Sequence, residues 1–596
     1  MIPGSGLALG GTTEMGIFGK VKGNSRHPQA ADARGRPMVF TFSQIPPPEA
    51  RRAERAAPGP KPCAALRAAQ GCGRAPAPGL HLRAELRQDC GQVSGVMAVT
   101  KDCDRSGRLV GRRFVLAGLL AGVAAPTWAE APKQSLRPEP RPPLSGRTAL
   151  AASKTPAAAP PTAEALIDAA RLGGRVSYAV FDARSGALLE GRADAAGQPP
   201  ASVAKAITSL YALDRLGRDF RFVTRVLATG PVQGGLVQGD LILLGSGDPT
   251  LDTDMLGDLA AALRAKGVRG VRGRFLVNAA ALPQIDRIDP DQPEHVGYNP
   301  AISGLNLNFN RVHFEWKPAK GGWQVAMDAR GTRFVPAVRM ASARIVERQS
   351  PLFTYERGNG QERWTVASAG LGKGGSRWLP VRAPDLYAGE VFRTLCDAQG
   401  IALPAPQPVG GQSAGTVLAQ VASPQLPDML RAMLRHSTNL TAETLGLAAS
   451  GAGSLRDSAR RMSDWLRATH GVEAEFVDHS GLGGGSRISA AAMAGALMRV
   501  PHLADLMRPF PTRSKGKGEG PRVAAKTGTL NFVSGLAGYV AGPKPLVFAI
   551  FAADTARRDR LRGAERERPA GGPEWTRRAR AMQGQLIERW AALYGD

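Results

Sequence analysis

Cysteine is scarce in this chain and unevenly spread. Of 5 cysteines in 596 residues, Cys63, Cys72, Cys90 and Cys103 crowd the N-terminal part at spacings unlike metal-ligand pairs, and only Cys396 follows. An intrachain disulfide and a thiolate metal site are therefore not expected in the rest of the chain. A long hydrophobic run is also missing: the apolar stretch Phe114 to Ala125 is too short to cross a bilayer. Acidic residues are outnumbered, for a net charge of +27, yet zinc-finger spacing, an RNP-like motif and an aromatic-basic platform are all lacking, which argues against a nucleic-acid partner. There is no internal repeat. The glycine loop Gly245-Ser246-Gly247-Asp248-Pro249 lacks the third glycine and the βαβ context of a dinucleotide site.

Within that balance, residues 1–129 hold 18 basic and 8 acidic residues, and residues 130–596 hold 59 and 42, a net of +17. Such a surplus suits an anionic surrounding such as cell wall or membrane headgroups. Glycine and proline are plentiful but the apolar share, 43%, is ordinary, so most of the chain is expected to fold.

Arg112-Arg113 followed by the short apolar run, then small residues on either side of Trp128, reads as a signal peptide over 97–129 cleaved before Glu130. The arginine pair resembles a twin-arginine signal without its full consensus, and the alternative is an ordinary buried helix. A signal peptide belongs at a chain start, so Met97 is the expected start. Residues 1–96, rich in Ala, Arg, Pro and Gly without periodicity, are then a non-native or disordered extension. Residues 130–161 read as a linker. The expected location is the periplasm.

From there the patterns alternate. Helices are expected at 162–172, 252–266, 426–434, 442–450, 454–470 and 574–593. Strands are expected at 176–181, 187–190, 222–229, 236–244 and 268–277, with short strands and loops from 278 to about 420, and again at 522–529, 535–540 and 546–553. The ends look like one α/β domain split by a long insertion: 162–250 and 421–596 catalytic, 251–420 inserted.

Three short motifs carry chemistry. Pro199-Pro200-Ala201-Ser202-Val203-Ala204-Lys205 opens an apolar helix. Ser202 falls in its first turn, where unpaired N–H groups favour developing negative charge, and Lys205 lies on the same face. Burial would push that amine toward its neutral form, a base for the hydroxyl. A second Ser-x-x-Lys, Ser514 to Lys517, sits among glycines and charges and reads as a solvated loop. Ser437-Thr438-Asn439 precedes a helix and offers either a proton relay and an amide for a substrate carbonyl, or simply a helix N-cap. Lys526-Thr527-Gly528-Thr529 on a strand reads as a carboxylate clamp: a cation, hydroxyls and a glycine that lets a substrate backbone lie close as an added edge strand. The N–H of Thr529 could join that of Ser202 as an oxyanion pair.

Ser-x-x-Lys, Ser-x-Asn and Lys-Thr-Gly in that chain order resemble the penicillin-recognising serine enzymes. The long gap from Ser202 to Ser437 resembles the D-alanyl-D-alanine carboxypeptidase/endopeptidase family of penicillin-binding protein 4 type, over about 165–595. Gly245 to Leu251, Tyr298 to Ser303 and Asp478-His479-Ser480-Gly481-Leu482 are further matches. Two departures stand out: Thr438 replaces the usual acid of the second motif, and Pro509 to Gly520 is shortened. The resemblance implies a penicillin-binding/β-lactamase-like α/β domain, an antiparallel sheet flanked by helices, with one or two mostly β domains inserted after the Ser202 helix. It implies attack by Ser202 on the penultimate D-alanine carbonyl of a peptidoglycan stem peptide. Lys205 is the implied base, kept neutral by burial and by Lys526. Ser437 relays the proton and Asn439 orients the peptide, while Lys526, Thr527 and Thr529 bind the terminal carboxylate. β-Lactams are implied as inhibitors, with no metal or organic cofactor. Asp286, Asp289 and Asp291 are candidates for holding a cross-link amine. Contact with a membrane surface or a second copy stays open. The rivals are a hydrolase built on Asp478-His479-Ser480, whose consecutive side chains diverge, and a non-catalytic wall-binding or scaffolding protein.

Overall fold

Leu546–Ala553 is apolar at every position, and a strand of that kind needs a core on both faces. A computed structural model of the chain, which describes residues 160–512, 520–567 and 569–595, supplies both. Leu546, Phe548, Ile550 and Ala552 pack with Trp575, Leu586 and Trp590 of the C-terminal helix Gly572–Tyr594 and with Leu166 and Ile167 of the helix Ala163–Ala170. Val547, Ala549 and Phe551 point the other way, into a core with the helices Ala204–Leu216, Leu426–His436, Leu455–His470 and Ala490–Met498. The period of two thus divides one strand between two cores.

That strand sits inside a six-stranded sheet with the spatial order 508–509, 522–530, 533–541, 546–553, 175–182, 188–192. Every neighbouring pair is antiparallel. Strands from both ends of the sequence pair directly, Arg175 to Asp182 against Ala553 to Leu546. This is the split α/β domain expected from the sequence. The expected signal peptide, the N-terminal extension, nearly all of the linker and the second Ser-x-x-Lys copy lie outside the described residues.

The insertion has its own centre. A mixed five-stranded sheet, ordered 406–409, 275–278, 241–244, 223–228, 416–422, is covered by the helices Thr253–Ala265 and Pro384–Ala398. Two three-stranded sheets, formed from 311–319, 322–328 and 375–380 and from 341–346, 353–358 and 361–367, share that same core through Phe314, Trp364 and Val366. The boundary expected at residue 250 does not follow the strand pairing, because 223–228 and 241–244 belong to the inserted sheet. We propose that the insertion begins directly after the Ala204–Leu216 helix. The helix Pro384–Ala398, opened by a proline in its first turn, was also not expected from the sequence.

One apolar seam ties the insertion to the catalytic domain near the site. Leu282, Ile288 and Ile302 pack with Leu440, Leu447 and Leu482. The Gly245-Ser246-Gly247-Asp248-Pro249-Thr250 loop is structural: the Ser246 hydroxyl accepts from Val223 N–H, and Asp248 folds back on Thr250.

Candidate active site

Pro199 and Pro200 end the preceding segment, and Ala201–Val203 form a single 3-10 turn before the Ala204–Leu216 helix. Ala201 carries φ +47°, a left-handed conformation uncommon for alanine, so the turn before the nucleophile is sharp. What fits against it is glycine. A Cβ on Gly528 would sit 2.6 Å from the Pro200 carbonyl oxygen and 3.0 Å from the Ser202 nitrogen. Gly535, directly opposite Gly528 on the next strand, meets the same carbonyl. The pair makes a notch for the nucleophile turn. The expectation that Gly528 makes room for a substrate backbone is thereby corrected: its bare face is occupied by the protein's own chain.

Lys205 is fully buried one turn after Ser202. Its Nζ lies 3.0 Å from Ser202 Oγ, 2.7 Å from Asn439 Oδ1 and 2.8 Å from the Ser480 carbonyl oxygen. A neutral amine has two hydrogens and one lone pair. The amide and carbonyl oxygens can only accept, so they take both hydrogens and leave the lone pair for the Ser202 hydroxyl proton. Burial lowers the Lys205 pKa to about 8, against the opposing pull of the Glu443 and Asp478 carboxylates.

The second motif arises where two helices meet. The Leu426–His436 helix ends at Ser437, which is left-handed at φ +57°, and Thr438 precedes the helix Asn439–Ser450. Neither Ser437 nor Asn439 is the N-cap; that position falls to Thr438, whose hydroxyl turns to Thr441 Oγ1 at 2.9 Å. Thr438 is not among the residues that line the cleft. Asn439 Nδ2 donates to the Tyr298 carbonyl at 2.9 Å, which fixes the amide with its oxygen toward Lys205.

Lys526, 2% exposed, projects from the strand Arg522–Leu530 and donates to Ser437 Oγ at 3.0 Å and to the Thr527 carbonyl at 2.7 Å. Burial and the neighbouring Lys205 lower its pKa. The sequence reading gave Lys526 as a charge that keeps Lys205 neutral. In the structure the charges acting most on Lys205 are Glu443 and Asp478, and they favour its ammonium form. The strand 508–509 pairs only with Ala524 and Ala525, so beyond them one edge of the clamp strand carries no partner strand among the described residues.

Ser202, Ser437, Asn439 and Thr529 open together onto a cleft of about 950 Å³. The insertion contributes Asp289, Asp291 and Tyr298 to its wall, and the C-terminal segment contributes Arg558, Arg566 and Arg580. Arg580 Nη2 donates to Thr529 Oγ1 at 3.1 Å. The Thr527 side chain is exposed and does not line the cleft as Thr529 does. Of the three aspartates, Asp286 turns to Arg357 at the surface and Asp291 pairs with Arg566. Asp289 faces the cleft, its carboxylate held by Asp291 N–H and the Gln292 amide.

The consecutive Asp478, His479 and Ser480 are buried and diverge. Asp478 accepts from Gly481 and Gly483 N–H, and His479 Nε2 meets Ser458 Oγ at 2.6 Å. They serve the site through backbone, not as a relay of their own. The residues missed in the sequence reading are Glu443, Arg580 and the carbonyls of Ser480 and Tyr298. Glu443 had a signal, since it stands four positions after Asn439 on one helix face. The carbonyls had none.

A serine hydroxyl aimed by a buried amine, beside a second serine–lysine pair at the edge of an antiparallel sheet, defines a serine acyl-transfer hydrolase of the penicillin-recognising class. The family model for the D-Ala-D-Ala carboxypeptidase 3 (S13) family matches residues 161–568. The chain belongs to that family, whose members are serine-type D-Ala-D-Ala peptidases acting on peptidoglycan. Among curated proteins it is similar to the D-alanyl-D-alanine carboxypeptidase of Actinomadura sp. R39, 28% identical over 431 residues, 65% of this chain and 79% of that one. It is also similar to D-alanyl-D-alanine carboxypeptidase DacB of Haemophilus influenzae, 24% identical over 379 residues, 57% of this chain and 77% of that one. The crystal structure of penicillin-binding protein 4 (dacB) from H. influenzae shares the fold, with a TM-score of 0.59 at 20% identity over 72% of this chain and 99% of that one.

Proposed function

We propose that Ser202 is the nucleophile and Lys205 the general base of a D-alanyl peptidase cycle. The observation that carries the reading is the Lys205 amine, whose two acceptors leave one lone pair for the Ser202 hydroxyl. Ser202 Oγ bonds to the carbonyl carbon of the penultimate D-alanine, and its proton passes to Lys205. The N–H groups of Ser202 and Thr529 stabilise the oxyanion. Ser437, hydrogen-bonded to Lys526, delivers a proton to the leaving nitrogen as the C–N bond breaks. Water then attacks the ester and frees Ser202. Asn439 orients the peptide. Thr529 binds the terminal carboxylate beside the Lys526 amine, and Arg580, hydrogen-bonded to Thr529, supplies a cation there; Thr527, which the resemblance gave the same task, stands outside the cleft lining. Asp289, which lines the cleft, is the candidate to meet the amine of a cross-linking residue, and its position supports cross-link cleavage beside removal of the terminal D-alanine.

A β-lactam resembles the acyl donor and would leave an ester on Ser202. The H. influenzae penicillin-binding protein 4 has been solved complexed with a β-lactam. The net +17 of residues 130–596 and the apolar stretch after Arg113 support export to the periplasm and work against an anionic wall.

The test is D-alanine release from a stem pentapeptide ending in D-Ala-D-Ala, and cleavage of cross-linked muropeptide dimers. Wild type is expected to perform both and Ser202→Ala neither. Release undiminished in Ser202→Ala would reject the reading.

A further inference from the structure

Glu443 is a fully buried carboxylate to which the cycle above gives no step. It stands one turn after Asn439 on the helix Asn439–Ser450. Its oxygens accept from the N–H groups of His479 and Ser480, each at 2.9 Å. The next peptide along supplies the Ser480 carbonyl that accepts from Lys205 at 2.8 Å. Asp478 holds the far side of the same turn by accepting from Gly481 and Gly483 N–H.

We propose that Glu443 is a positioning residue for Lys205: by gripping the His479–Ser480 backbone it fixes the Ser480 carbonyl as the acceptor that turns the amine's lone pair toward Ser202. The helix that carries it thus holds Lys205 twice, directly through Asn439 and indirectly through Glu443. A backbone carbonyl on an unanchored loop could rotate away, and the amine would then point a hydrogen, not a lone pair, at the nucleophile. Four charged or titratable groups face this spot: Lys205 from the nucleophile helix, Lys526 from the clamp strand, and Asp478 and His479 from the loop. Burial pushes the Glu443 carboxyl up, and where it is ionised its charge favours the ammonium form of Lys205, so in Glu443→Gln the amine deprotonates at lower pH over the range where the wild-type carboxylate is charged.

This inference rests on the acyl-transfer reading, and its test separates the two. Acylation by a chromogenic cephalosporin is followed from pH 6 to 10 on wild type, Ser202→Ala and Glu443→Gln, each rate scaled to the folded fraction. Glu443→Gln is expected to acylate on the order of 100-fold more slowly, the scale of a misplacement near 1 Å, with its rising limb moved to lower pH. A wild-type rate and an unmoved limb would overturn the proposal, even if the variant melts at a lower temperature, because a purely structural role predicts that result. Should Glu443→Gln not fold, Glu443→Asp, whose side chain is one methylene shorter and draws the carboxylate back from the two N–H groups, is expected to lie between, and a wild-type profile for it overturns the proposal equally. No acylation of wild type would instead sink the acyl-transfer reading itself.

Discussion

The surroundings of Lys205 suit it to the base role proposed for it. Two fixed oxygens saturate its hydrogens and burial disfavours its charge. Lys205→Ala is expected to slow acylation by about 10²–10⁴-fold, the usual worth of a positioned general base, with the protein still folded; loss of only a few-fold would contradict that role. Burial lowers this pKa to about 8, so the neutral form gains population as pH rises past that value. The acylation rate is therefore expected to climb between pH 6 and 9 and then level off, as read by a stopped-flow pH profile. Gly528 is constrained as tightly as the lysine. Gly528→Ala forces a Cβ against the Pro200 carbonyl, and overpacking of this kind costs about 1–3 kcal/mol, measured as a lower unfolding midpoint together with lost acylation. At this scale three short motifs marked Ser202, Lys205, Ser437, Asn439 and Lys526, which the fold brings together, and the roles proposed for them come from the family resemblance. The sequence was silent on the Ser480 carbonyl, because any residue has one and only the folded turn aims it.

Among the elements, the C-terminal helix Gly572–Tyr594 does two jobs. Trp590 is buried against Phe548 and Tyr178, and Trp590→Ala is expected to cost about 3–5 kcal/mol, read by denaturant unfolding. Ten residues earlier Arg580 reaches Thr529 at the cleft. Arg580→Gln is expected to raise KM for a peptide with a free terminal carboxylate by about tenfold, the worth of a charge-assisted hydrogen bond. An amidated peptide should bind equally to both proteins, and an equal loss for the two peptides would remove Arg580 from the clamp. The helix was plain in the sequence from its apolar periodicity. Its reach into the cleft was not, because periodicity finds the buried stripe and says nothing about what stands beside the exposed one. The helix Pro384–Ala398 was hidden for a related reason: its flanks are dense with prolines and glycines that read as loop.

Across the described residues, the catalytic sheet carries a core on each face and the insertion carries a third, and the site lies beside the seam where insertion and catalytic domain pack together. The catalytic sheet closes only when the strand Arg175–Asp182 finds Leu546–Ala553, after the entire insertion has intervened. The insertion in turn supplies Tyr298, Asp289 and the apolar seam to Leu440. The presence of an insertion was legible from motif spacing; its first boundary was not, since short alternating strands look alike whichever sheet receives them. The basic surplus belongs to this scale too: retention on purified sacculi is expected to fall as salt rises from 50 to 500 mM in order-of-magnitude steps about the screening length, and salt-independent retention would count against it. Above all, three motifs from distant parts of the chain must act on one hydroxyl. Peptide mapping by mass spectrometry after brief exposure to penicillin tests this most directly: the adduct is expected on the peptide containing Ser202 and to build up far more slowly in Asn439→Ala and Lys205→Ala, whereas an adduct on any other residue would contradict it.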